Sequence, residues 1–308
     1  MVTPSQPELA PVAPTTPPAE PSPLGDQRSG RLGERLFTLV CLLSLALPLL
    51  LLALLFGQTL ADALPRLDWA FLTSFPSSRP EAAGILPALA GSAVLMVLTA
   101  AIAIPLGVGA ALWLEEYARP SRFTAFVELN ISNLAGVPSI IYGLLGLELF
   151  VRALSLGRSL LAGAATLALL VLPMVILSSR EALRAVPLSV REACFALGAD
   201  RWQGLRRVVL PMAAPGMLTG IILALARAVG ETAPLVTIGA VAYVNFVPSS
   251  VLDEFTALPI QIFSWVSRPQ LAFRANASAG IVVLLAFMLA LNAAAIWLRA
   301  RLQRRIDW

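Results

Sequence analysis

Residues 192–211 read EACFALGADRWQGLRRVVLP. The stretch pairs small residues (Ala193, Ala196, Gly198, Ala199) with three arginines (Arg201, Arg206, Arg207) and an apolar set, Trp202, Leu205, Val208 and Val209. It lies between two long apolar runs. A soluble core has no use for a short basic helix–turn–helix in that position, and neither does a plain membrane anchor. It suits a membrane protein that grips a partner outside the bilayer.

Working outward, the composition sets the class. Of 308 residues, 58% are hydrophobic and 13% charged, with mean hydropathy +0.81. Ordinary soluble domains carry about 25% charged residues. Several uncharged runs exceed the roughly 18 residues that read as a membrane span, and they are continuous rather than alternating, which excludes a β-barrel. The fold class is an all-α polytopic membrane protein. The chain has no His, and all 22 cations are Arg, so His metal sites and Ser-His-Asp triads are excluded. Cys41 and Cys194 have no metal-ligand spacing and are expected to be reduced, inert packing residues. No metal or other cofactor is implied. The net charge of +4 arises from loops flanking the spans and does not point to nucleic acid.

Residues 1–30 are rich in Pro, Ser, Thr and Glu and are expected to be a disordered cytosolic tail, because they cannot bury enough surface to offset the entropy of ordering. Residues 31–308 form the membrane domain. Leu36–Phe56 exceeds the apolar core of about 7–15 residues in a signal peptide, so an uncleaved first span is expected. Ala82–Leu114 is uncharged over 33 residues, enough for one tilted span. Leu129–Leu147 follows, interrupted at Gly136-Val137-Pro138-Ser139. Ser159–Ser179 is the fourth run, residues 213–240 the fifth, and Ala275–Leu298 the last. Six spans with both termini inside place fifteen arginines in cytosolic segments and six in outer ones, the expected bias. A seventh span would put the C-terminal arginines outside. An outer loop, 241–278, is expected to carry a short amphipathic helix near Leu258–Phe263. Segment 180–211 is the largest between spans on the inner side and has no GxxxxGK[ST] loop, so any nucleotide chemistry belongs to another chain.

Within that segment, Pro187 is expected to end a helix continuing the fourth span. Ser189 or a neighbour then caps the next helix, with Glu192 in its first turns. Gly198 is expected to take a left-handed conformation and end it. Small residues at the turn let a partner approach closely. The spacing resembles the EAA loop of ABC importer permeases: Glu192-Ala193-Cys194, three residues, Gly198, nine residues, Val208, one residue, Leu210-Pro211. Cys194 stands for Ala and Val208 for Ile. The resemblance implies the type I ABC importer permease (MetI-like) fold, with this loop docking in a groove of an ATPase subunit.

Arg227 and Glu231 lie inside the fifth run. A charge at the bilayer centre costs about 2.5–3.5 kcal/mol on insertion scales, so such residues pair or face a pathway. Their i, i+4 spacing allows pairing. Gly216, Gly220, Ala224 and Ala228 form an adjacent stripe suited to close helix packing. The pair reads either as a structural bridge or as an anion site. In the second reading the Arg fork holds an oxyanion, Glu231 tempers the attraction and Thr232 adds a hydroxyl. This chemistry does not choose among phosphate, sulfate and other oxyanions.

Five strings narrow the choice: ALARAVGETAPL (224–235), GVPSIIYGLLGL (136–147), GILPALAGS (84–92), PLGVGAALWLEEYA (105–118) and LPIQIFSWVSRP (258–269). They resemble the A-type permease subunits of phosphate-specific ABC importers over about residues 70–300. The resemblance implies a multi-pass protein of the bacterial inner membrane that works with a homologous C-type permease, an ATPase dimer and an external phosphate-binding protein. It carries no ATPase site of its own and imports inorganic phosphate by alternating access. The alternatives are the C-type subunit, a sulfate or molybdate permease, or a self-contained channel. Glu148 and Arg152 are expected to form an interfacial salt bridge.

Overall fold

The computed structural model describes residues 27–240 and 243–303, with side chains from Gly33 to Arg301. Almost all of the tail expected in residues 1–30 therefore lies outside the described residues. The contact pattern divides the chain into two units, one ending at Leu55 and the other beginning at Phe56. The described part of the first unit is the start of helix α1 (Gln27–Ala63), whose leucines from Leu36 to Leu55 and whose Cys41 are exposed. Cys41 is thus a surface thiol on this helix, not the packing residue expected.

The second unit holds α2 (Trp69–Thr73), α3 (Leu86–Leu112), α4 (Arg122–Ala135), α5 (Ser139–Gly146) and α6 (Leu160–Arg184). It continues with α7 (Leu188–Ala196), α8 (Arg201–Gly204), α9 (Leu210–Val229), α10 (Ala233–Ile238), α11 (Leu258–Val266) and α12 (Phe273–Gln303). Among the described residues, five helical stretches are long and apolar enough to cross a membrane: Gly33–Ala63, Leu86–Tyr117, Leu160–Arg184, Arg201–Val229 and Phe273–Arg301. A sixth crossing is available if Arg122–Ala135 and Ser139–Ala153 count as one broken span, bent by 107°. The bend has a local cause: Pro138 disfavours helical backbone at Val137 and lacks an N–H of its own.

Helices α3 and α6 run parallel. At one end of the bundle both meet the loop before α11: Leu160 N–H donates to Asp253 O at 3.0 Å, and Leu258 N–H donates to Ser92 Oγ at 2.8 Å. Asp253 shapes this loop by accepting from the Ser249 and Ser250 N–H groups at 2.8 Å each, which holds its carboxyl below the usual range. At the opposite, basic end, α3 continues through a π-turn, Trp113–Tyr117, whose Glu115 meets Arg180 and Arg184 of α6. Helix α9 returns antiparallel along α6. The small-residue stripe makes that seam: a Cβ on Gly220 would sit 2.1 Å from Ser178 Cβ, and one on Gly216 2.9 Å from Ala182 Cβ. Ala224 and Ala228 are fully buried on the same face.

Three expectations change. The helix after Gly198 is not a separate piece ahead of the fifth span. Arg201 to Val229 is one continuous helical rod, and it stops at Gly230 rather than reaching 240. A π-turn at Leu205–Val209 carries the chain into Pro211; its wide geometry accommodates a ring that would otherwise clash with the carbonyl one turn back. Glu231 consequently lies just past the helix end. Ser189 is not a cap: α7 starts directly after Pro187, whose backbone is fixed at φ −55° and ψ 141°, and Ser189 sits in the first turn. The short amphipathic helix expected near Leu258–Phe263 is present and runs to Val266, with Leu258 to Gln261 buried and Phe263 and Val266 exposed.

Candidate functional site

Two places bring together residues singled out by the sequence. The first is the elbow at the basic end. Gly198 has φ +80°, a conformation that L side chains rarely adopt, and the chain turns there from α7 into α8. The Ala199 N–H then donates to Cys194 O at 3.1 Å. Asp200 caps α8 in a reciprocal box, its carboxylate accepting from Gln203 N–H at 2.7 Å and Gln203 Oε1 accepting from Asp200 N–H at 3.3 Å. Glu192, Ala193 and Gly198 face outward, whereas Cys194 is half-buried and packs toward Gly204. Leu188, Phe195, Leu197 and Trp202 are all exposed on the elbow, Leu197 by 88%. An apolar patch of this kind, rimmed by arginines, marks an interaction surface. Leu210 and Pro211 stand apart from it, half-buried on the return into the bundle.

The elbow is fastened by ion pairs that the sequence reading did not single out. Arg191 of α7 pairs with Glu116 and donates to Leu183 O at 2.8 Å. Arg180 is buried and meets Glu128 of α4 at 2.6 Å and Glu115 at 3.5 Å; Arg184 donates to both Glu115 oxygens at 3.0 Å. The available signal was the Glu115-Glu116 pair closing one uncharged run and Arg180 closing another.

The second place lies inside the bundle. Arg227 Nε is 3.3 Å from Glu231 Oε1, and Arg227 Nη1 reaches Met174 Sδ at 3.3 Å. Met174 sits near the middle of α6, so the pair is far from both ends of that span. The Arg227 side chain remains 45% exposed on this chain. Immediately beyond it the helix ends: Gly230 caps α9, and α10 begins at Ala233. Irregular backbone at membrane depth is tolerated only where it is buried in protein or lines a cavity. Here Gly230 and Thr232 line a groove of about 580 Å³ with Ile140, Val236, Pro259 and Phe263. Gly143 lets α5 approach the far side of α10; a Cβ there would lie 2.7 Å from Pro234 Cα. The structure brings Arg227 and Glu231 together. Thr232 follows Glu231 in the chain, and its hydroxyl donates to Gly230 O at 3.5 Å.

Residues 103–308 match the family model described as binding-protein-dependent transport system inner membrane component. The phosphate transport system permease protein PstA of Mycobacterium leprae is 39% identical over 214 residues, covering 68% of this chain and 69% of the relative. The protein of the same name from Xylella fastidiosa strain Temecula1 is 34% identical and covers 79% and 85% respectively. Among solved structures, the MetNI methionine ABC transporter aligns with TM-score 0.55 at 21% identity, over 71% of this chain and 94% of that one; this likeness concerns fold alone. The chain is a multi-pass membrane protein that belongs to the binding-protein-dependent transport inner-membrane components and, within them, to the PstA permeases.

Proposed function

We propose that this chain is the permease subunit of an ATP-driven importer that moves inorganic phosphate into the cytoplasm by alternating access, with Arg227 and Glu231 at the ion's central station. The observation that carries this reading is an arginine side chain held mid-span, nearly half exposed, next to a broken helix that lines a groove. Its fork suits two oxygens of an oxyanion. Glu231 already occupies one side, so an arriving anion meets a partly neutralised cation and is not held too tightly to leave.

The basic end faces the cytosol in this reading, following the arginine bias, with both termini on that side of a bacterial inner membrane. Residues 31–308 form the permease domain and residues 1–30 a tail outside it. The exposed face of the elbow, Glu192, Ala193, Gly198 and their apolar neighbours, docks an ATPase dimer. Leu210 and Pro211 carry its movement into α9. A homologous permease completes the pathway, and an external phosphate-binding protein delivers the ion to the loop end. ATP hydrolysis occurs on the partner chain. Energy input is required because each negative charge entering an inside-negative cell costs about 2.3 kcal/mol per 100 mV.

The test is radiolabelled phosphate uptake in a strain lacking this permease. Restoring the chain should restore uptake, and excess sulfate should not compete. Uptake that sulfate suppresses as well as unlabelled phosphate does would replace phosphate with a broader oxyanion class.

A further inference from the structure

We propose that the Glu116–Arg191 ion pair is the link that carries displacement of the docking helix α7 into the membrane bundle, so that both are positioning residues for transport. The inference rests on the elbow acting as the ATPase dock. Helix α7 has no fully buried residue. Its half-buried Val190 touches the apolar cluster around Leu183 and Val209. Beside that contact lies a cavity of about 160 Å³, walled by Glu116, Arg191, Cys194, Phe195, Arg201 and Leu205. Packing therefore joins the helix to the bundle over only part of its length, since atoms across a void make no contacts.

Arg191 crosses that gap. Its side chain is 17% exposed and that of Glu116 16%, so solvent and salt screen the pair less than an exposed one. The second fork nitrogen donates to Leu183 O, tying the same side chain to α6. Arg191 therefore grips α3's extension and α6 together. The π-turn at Trp113–Tyr117 divides the labour of two consecutive carboxylates: Glu115 turns to α6 through Arg180 and Arg184, and Glu116 turns to α7. A displaced α7 then pulls the end of α3 directly, in addition to pulling α9 through the covalent turn at Gly198.

The experiment measures phosphate transported per ATP hydrolysed by the full importer in proteoliposomes, with complex assembly followed by co-purification of the ATPase. Arg191→Gln and Glu116→Gln should each assemble and hydrolyse ATP while carrying at least about fivefold less phosphate per ATP, a coupling loss of the usual size. The charge exchange Glu116→Arg with Arg191→Glu should recover much of the ratio. The proposal is overturned if either single variant keeps the wild-type ratio, if the single variants fail to assemble, or if the exchange recovers nothing. A wild-type complex without ATP-driven phosphate uptake would instead defeat the transport reading, and lack of crosslinking from Ala193→Cys to the ATPase would defeat the docking reading.

Discussion

Arg180 and Arg227 are both arginines of a membrane bundle paired with carboxylates, and their surroundings differ. Arg180 is 6% exposed and is shared between Glu115 and Glu128, which come from two other elements. Arg227 is 45% exposed and answers to one carboxylate four residues along its own chain. Partners drawn from separate helices make Arg180 a clamp whose geometry the fold over-determines. A single carboxylate from its own chain segment and a weak contact to Met174 Sδ bind Arg227 far less firmly. The same residue type thus joins helices in one place and, in the proposed reading, is left open to an ion in the other.

The sharpest way to break this contrast is to neutralise both arginines and compare what fails. Arg227→Gln removes the cation but keeps hydrogen-bonding capacity and approximate shape. If the guanidinium makes two charge-assisted bonds to the ion, the loss is about 3 kcal/mol, or roughly a hundredfold in uptake. Assembly and thermal stability of the purified complex should be unchanged. Near-normal uptake would return the Arg227–Glu231 pair to a purely structural role.

Arg180→Gln should fail in the opposite sense. Breaking a buried ion pair costs about 3–5 kcal/mol, but here Glu115 keeps Arg184 and Glu128 is one-third exposed. The expected cost is therefore nearer 2 kcal/mol, read as a lower melting temperature in detergent. Phosphate uptake per assembled complex should be preserved. A stable variant that assembles but cannot transport would erase the distinction between clamp and station.

What the sequence disclosed follows from how local each feature is. Most of the spans, the left-handed turn at Gly198, the small-residue seam and the Arg227–Glu231 pairing rest on periodicity or on neighbours within one turn, and these are present in the structure. The Arg180 network was not legible, because Glu128 and Glu115 lie 52 and 65 positions from Arg180 in the chain. Apolar periodicity does not say which helix end meets which. The continuous rod from Arg201 to Val229 was missed for another reason. Pro211 reads as a boundary in sequence, and the π-turn that accommodates it leaves no compositional trace. The break at Gly230 had a signal in Gly230 and Pro234, but the apolar residues that resume beyond it read as the same span.

The smallest expected effect sharpens the comparison most. Glu148 and Arg152 share the i, i+4 spacing of Arg227 and Glu231, with carboxylate and guanidinium in reversed order, and lie 2.9 Å apart. Their side chains are 69% and 66% exposed, and an exposed helical pair is worth about 0.3–0.5 kcal/mol. Glu148→Gln should therefore shift stability by no more than about 0.5 kcal/mol and leave both uptake and phosphate per ATP at wild-type values. That result would show that spacing alone confers no role, and that the mid-span position beside the helix break is what distinguishes Arg227. A marked fall in uptake from Glu148→Gln would place a functional charge at the end of α5 and weaken the case for a single station.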